Sequence, residues 1–86
     1  MYVIAVFSNR KDTISFSVAL KKIGVNAMVV STPKGLGSSC SVSVKFYYKH
    51  ISRAVYVLRK GSYLSFSNFF KIVTMGNMCK YEIIYF

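Results

Sequence analysis

Carboxylates are almost missing from this chain: Asp12 and Glu82 are the only two acidic side chains among 86 residues. They stand far apart in sequence, and His50 is the single imidazole, so almost nothing is present to act as a general acid or base. The two cysteines, Cys40 and Cys79, lie in unlike contexts with no C-x-x-C spacing. With one histidine they make no metal-ligand set, and two isolated thiols in a chain of this kind are expected to stay reduced rather than bridged. Long apolar runs are also lacking, since Lys, Ser and Gly interrupt each one. The N-terminus does not show the basic-then-apolar order of a signal peptide. These absences lead us to expect a cytoplasmic protein that is not an enzyme and uses no metal, cofactor or membrane.

What is present in excess is positive charge and apolar surface. Twelve Lys and Arg give a formal net charge of +10, spread from Arg10 to Lys80 rather than held in a tail. A folded body so charged carries a positive field that favours polyanions or acidic protein surfaces, although charge of either sign also serves solubility. Hydrophobic residues make up 53% and aromatics 16%, a large share for a chain with room for a single domain, residues 1–86. Some of that apolar surface is expected to remain on the monomer, available for self-association.

Patterning along the chain sets the elements. Tyr2 to Phe7 is apolar on both alternating faces, the signature of a central strand buried on two sides. Ser8 or Asn9 can cap a helix that has Asp12 in its first turn, Phe16, Ala19, Leu20 and Ile23 at helical spacing, and Gly24 as a left-handed stop. Val25 to Val30 reads as a short strand. The next strand should turn Val42, Val44 and Phe46 inward and Ser41, Ser43 and Lys45 outward. A second helix, from about Tyr48 to Lys60, carries Ile51, Ala54, Val55 and Leu58 on one stripe and Lys49, Arg53, Tyr56 and Lys60 on a narrow opposite arc, before Gly61 ends it. Two β-rich runs, Phe69 to Met75 and Cys79 to Phe86, flank a Gly76-Asn77 pair suited to a tight hairpin, with Cys79 expected in the core.

The order strand, helix, strand, strand, helix, hairpin predicts an α+β domain. It is a ferredoxin-like βαββαβ sandwich, a mainly antiparallel sheet with both helices on one face, built as a βαββα core over residues 1–61 and a C-terminal hairpin over 62–86. The sheet face left open by the helices, or the terminal hairpin, is expected to pair with a second copy.

One segment stands apart from this scaffold. Thr32, Pro33, Lys34, Gly35, Leu36 and Gly37 lead through two serines to Cys40 at the start of the third strand. Connections this long that deliver a lone cysteine read as sites, whereas the glycines by themselves shape a turn and lack the endings of a phosphate-binding loop. Cys40 is also small enough simply to tuck in where loop meets strand.

The residues from Tyr2 to Lys60 resemble a small bacterial domain family labelled putative selenium/sulfur carrier protein-like. Its pattern is an aliphatic first strand, a helix, a strand ending in Thr-Pro-Arg, a short loop, a Cys-Gly pair, a strand and a second helix. Here Thr32-Pro33-Lys34 and Cys40 match that arrangement, while Ser41 replaces the glycine after the cysteine. The resemblance implies a carrier thiol at Cys40 that holds a persulfide or selenium atom. A carrier thiol must be exposed and partly ionised, which Lys34, Lys45 and the loop N–H groups would favour if they approach it.

Two functions from different classes follow. One is a small non-catalytic basic module that binds nucleic acid or an acidic partner protein through Lys49, Arg53, Tyr56 and Lys60. The other is sulfur or selenium carriage on Cys40. The residue usage would suit a bacterial or phage accessory protein. Capping the thiol abolishes carriage and spares polyanion binding. If the basic arc contacts phosphates, oligonucleotide binding should fall with salt at a log–log slope of roughly 0.7–0.9 per phosphate neutralised, and reversing Lys49, Arg53 and Lys60 should flatten it. Tyr56→Ala should then harm single-strand binding more than duplex binding. Failure to bind either form at low salt leaves an acidic protein as the destination of the positive surface.

Overall fold

Five strands form one antiparallel sheet in the spatial order Met28–Ser31, Val42–Tyr47, Tyr2–Phe7, Phe66–Met75 and Met78–Ile84, numbered β2, β3, β1, β4 and β5 by chain order and described by a computed structural model for residues 1–36 and 40–86. Strand β1 (Tyr2–Phe7) is its middle, and from Val3 to Phe7 no residue is more than 2% exposed. Its odd residues, Val3, Ala5 and Phe7, enter the main core beneath the helices, and Ile4 and Val6 enter a smaller cluster on the other face. Helix α1 (Arg10–Lys22) begins where the Asn9 side chain accepts the Asp12 N–H at 2.8 Å and ends before Gly24, whose φ of +86° suits only a residue without Cβ. Strands β2 (Met28–Ser31) and β3 (Val42–Tyr47) follow, then a 3-10 turn, Tyr48–His50, and helix α2 (Ile51–Lys60). Strands β4 (Phe66–Met75) and β5 (Met78–Ile84) close the chain. This is the α+β, ferredoxin-like layout expected, with one strand added at the edge.

Aromatic packing fixes how the helices sit. Phe7 meets Phe16 of α1 at 5.1 Å and Phe66 at 5.4 Å, and Phe66 and Phe69 lie 4.9 Å apart in an edge-to-face pair. The register of β1 against β4 slips between Val6 and Phe7, so that Phe7 faces Phe66 rather than Ser67. A bulge of this kind re-aims one side chain, and here it brings an aromatic into the core in place of a hydroxyl. Gly76, with φ +63°, opens a two-residue turn between the paired Met75 and Met78, as a type II′ hairpin requires.

Several local expectations change. Ser43 is fully buried on the face away from the helices, where its hydroxyl lies 2.6 Å from that of Thr32, so burial costs no unmet hydrogen bond. The strand predicted over Val25 to Val30 starts only at Met28, because Val25 and Ala27 first dive into the core. Ile23 is 41% exposed, lying past the last turn that the sheet covers, and Thr13 and Ser17 take buried positions on α1 instead. Their hydroxyls donate to the carbonyls of Asn9 and Ile14, which lets small polar groups sit against the sheet. On α2, Val57 joins Ala54 as a buried residue while Ile51, Val55 and Leu58 are partly buried. Cys79 is exposed rather than core, because β5 is an edge strand and its residue lies on the open face. Tyr63 is half-buried against Phe16, with ring centroids 5.3 Å apart.

Leu20 is fully buried between α1 and the sheet. Leu20→Ala should therefore lower unfolding stability by about 2–5 kcal/mol, read as a shift in denaturant midpoint at constant slope.

Candidate functional site

Strand direction gathers one end of the molecule around Cys40. Ala5 opposes Val44 and Ser31 opposes Val42, so the end of β1, the end of β2 and the start of β3 lie side by side, with Phe66 of β4 beside Phe7. The first turn of α1 stands above them. The exit from α2 returns to the same end, where Tyr63 packs on Phe7 and Phe16. Asp12 clamps this end. Its Oδ2 accepts the Ser65 N–H at 3.1 Å and the Ser65 hydroxyl at 2.7 Å, and the Ser65 carbonyl in turn accepts the Ser8 N–H at 2.8 Å.

Cys40 is half-buried here, with its Sγ 3.9 Å from Thr13 Oγ1, a distance at which either group can donate to the other. Thr13 belongs to the opening turns of α1, so the sulfur lies beside the start of that helix. The Thr13 hydroxyl also reaches the Asn9 carbonyl at 2.9 Å. Rotation about its Cβ–O bond lets it give that proton to the carbonyl or to a thiolate. Thr13 was not visible as a site residue in the sequence. The available signal was its four-residue spacing from Asn9 on the apolar face, a polar residue where a core residue belongs.

The loop residues divide. The Thr32 N–H donates to the Ser41 carbonyl at 2.9 Å, pinching the loop closed at its base, and the Thr32 hydroxyl meets Ser43. Leu36 folds back onto Ile4, Val6 and Phe70, so the loop covers part of the sheet face opposite the helices. Pro33 is half-buried, Lys34 and Gly35 are exposed in a turn, and Gly35 has φ +87°. Gly37 lies outside the described residues. Lys45, which would favour a thiolate if it approached Cys40, places its Nζ 4.5 Å above the Tyr2 ring on the open sheet face. It cannot serve Cys40 from there, because β3 alternation and the intervening strand length direct it elsewhere.

Lys49, Arg53, Tyr56 and Lys60 are all exposed, and Lys60 Nζ lies 3.4 Å from the Tyr56 hydroxyl. The fold does not gather them at the thiol. Lys60 ends α2 near the Cys40 end of the sheet, whereas Lys49 lies at the other end, in a groove with Tyr2, Met28, Tyr47 and His50. Among the described residues no cluster of His, Cys, Asp or Glu could hold a metal ion, and no helix is long and apolar enough to cross a membrane.

A family model described as "Putative Se/S carrier protein-like" matches residues 2–70. The chain belongs to that family. The match runs from β1 through the Cys40 loop and α2 into β4, farther than the resemblance read from Tyr2 to Lys60. No curated protein and no solved structure matches the chain. Membership of the Se/S carrier-like family directs attention to the half-buried thiol and to the hydroxyl beside it. In a Cys79→Ala background, Thr13→Val should slow alkylation of Cys40 by iodoacetamide roughly three- to tenfold at neutral pH, followed by mass spectrometry. An unchanged rate would show that the hydroxyl does not serve the sulfur.

Proposed function

We propose that the protein carries sulfane sulfur, or selenium in the same manner, on Cys40 between partner proteins of acidic surface, in the cytoplasm. The observation that carries this reading is the placement of a half-buried thiol against Thr13 at the start of α1, within the part of the chain that matches the carrier-like family. Loading is an exchange between sulfurs. The Cys40 thiolate attacks the terminal sulfur of a donor persulfide, a sulfur–sulfur bond forms on Cys40 as the donor's breaks, and the donor leaves as a thiolate. Delivery reverses the roles: an acceptor nucleophile takes the terminal sulfur and the Cys40 thiolate leaves. One bond forms for each that breaks, so no external oxidant or reductant enters.

Partial burial suits this task. A persulfide must be reachable by two partners in turn, and a half-buried sulfur at one end of the sheet keeps one side open to them. The positive surface supports the same reading, because electrostatic attraction speeds brief encounters with acidic partners without demanding a tight complex. The exposed arc of Lys49, Arg53, Tyr56 and Lys60 suits phosphates as well, and the salt titration of oligonucleotide binding distinguishes the two. Little acid–base machinery is needed for sulfur exchange, which fits a chain with two carboxylates and one histidine.

Incubation with a low-molecular-weight persulfide donor should add the mass of one sulfur atom at Cys40 and pass it to a cyanide or thiol acceptor. Cys40→Ser should abolish the added mass, and Cys79→Ser should leave it. Loading confined to Cys79, or equal loading of both thiols, would defeat the proposal.

A further inference from the structure

The outer edge of β5 is the longest open backbone edge of the sheet. At the opposite side the edge strand β2 has only four residues, and its loop is pinched closed by the Thr32–Ser41 bond. β5 has seven, from Met78 to Ile84. Because Met75 and Met78 close a two-residue hairpin as a hydrogen-bonded pair, alternation along β5 turns the N–H and C=O groups of Cys79, Tyr81 and Ile83 outward. The side chains around this edge are apolar and exposed, Met75, Met78, Ile83 and Tyr85 among them. Edges of this kind are usually guarded by like charges. β5 carries Lys80 and Glu82, and so is neutral within a chain of net charge +10.

We propose that β5 pairs antiparallel with β5 of a second copy about a two-fold axis through Tyr81, joining two sheets into one. Backbone phase permits this register, and overlap and charge select it. Pairing centred on Tyr81 is the one that overlaps the whole strand, Met78 against Ile84 of the second copy at each end. It brings the outward backbone groups into phase, with Tyr81 facing Tyr81 and Cys79 facing Ile83 in hydrogen-bonded pairs. It also places Lys80 directly opposite Glu82, twice by symmetry, in the closer non-hydrogen-bonded positions. A shift of one pair either way sets Lys80 against Lys80 or Glu82 against Glu82. The occupant is thus a second copy rather than an arbitrary strand, because the charges complement each other under the two-fold. Tyr81 already packs against the cluster of Ile4, Val6 and Phe70, so pairing there also extends the apolar layer of the open face. This inference is independent of the chemistry of Cys40.

Sedimentation of the full chain tests it by charge swapping. The wild type should associate to a dimer. Lys80→Glu and Glu82→Lys should each weaken self-association by about tenfold, since each sets like charges opposite one another twice. An equimolar mixture of the two variants should dimerise as well as the wild type, because every opposing pair is again of opposite sign. A monomeric wild type, variants that each associate undiminished, or a mixture no tighter than its components would overturn the proposal. Covalent trapping tests the register directly: in a Cys40→Ser background, Ile83→Cys should give a disulfide dimer under mild oxidation through the new thiol and Cys79. Equally fast cross-linking without the Ile83 substitution would contradict it.

Discussion

Burial of β1 on both faces is the constraint from which the rest of the structure follows. A strand with hydrogen-bonded neighbours on both edges and apolar residues on both sides can occupy only the middle of the sheet. Its two sets of side chains then need two covers of different kinds. Val3, Ala5 and Phe7 take the helices, and Phe7 alone meets Phe16, Tyr63 and Phe66. Ile4 and Val6 take whatever the connections can supply, which is Leu36 from the long loop with Val30, Phe70, Ile72 and Tyr81. The loop that presents Cys40 is therefore also a structural cover: its hydrophobic residue anchors one side of the segment while the Thr32–Ser41 hydrogen bond closes its base.

The same strand decides where the thiol sits. Because β1 ends beside the start of β3, the helix that follows β1 begins above the residue that precedes β3. Helix start, Thr13 hydroxyl and cysteine are brought together by topology, with no sequence motif linking them. The clamp from Asp12 to Ser65 holds the entry of β4 to the first turn of α1, and so keeps that turn in place over the sheet end. One of the two carboxylates in the chain is thus committed to the architecture around the sulfur, through a hydrogen-bonded contact rather than an ion pair.

Elements governed by local pattern were legible in the sequence, and positions governed by tertiary context were not. β1, the Asn9 cap, Gly24 and the Gly76-Asn77 turn each depend on a residue and its near neighbours, so their spacing announces them. Ser43 read as an outward-facing polar residue and Thr13 drew no notice, because alternation and helical periodicity register polarity and cannot see that a hydroxyl has found a partner. Cys79 failed in the opposite sense. Its apolar surroundings resemble a core strand, but strand order leaves β5 at the edge, and strand order is not written in hydropathy. For the site, the loop and Cys40 were visible as an anomaly of length and composition. Whether Lys45 approaches the thiol could not be read from nearness in sequence, and the strand carries it to Tyr2 on the other face.

The distribution of charge gives the molecule its two kinds of surface. With Asp12 turned to Ser65, Glu82 is the only carboxylate left to oppose a cation, and among the described residues it forms the single ion pair, with Lys71 at 3.6 Å. Both partners are partly exposed, so that pair adds little to stability and leaves Glu82 able to meet a second cation. The remaining charged side chains are all basic apart from Asp12, and a net charge of +10 sets copies of the chain against one another. A chain rich in exposed apolar residues would ordinarily associate without discrimination. Here a net charge of +10 opposes contact between copies in general, and β5 with its one Lys and one Glu is neutral, which is why the proposed pairing is assigned to that edge rather than to the Cys40 end.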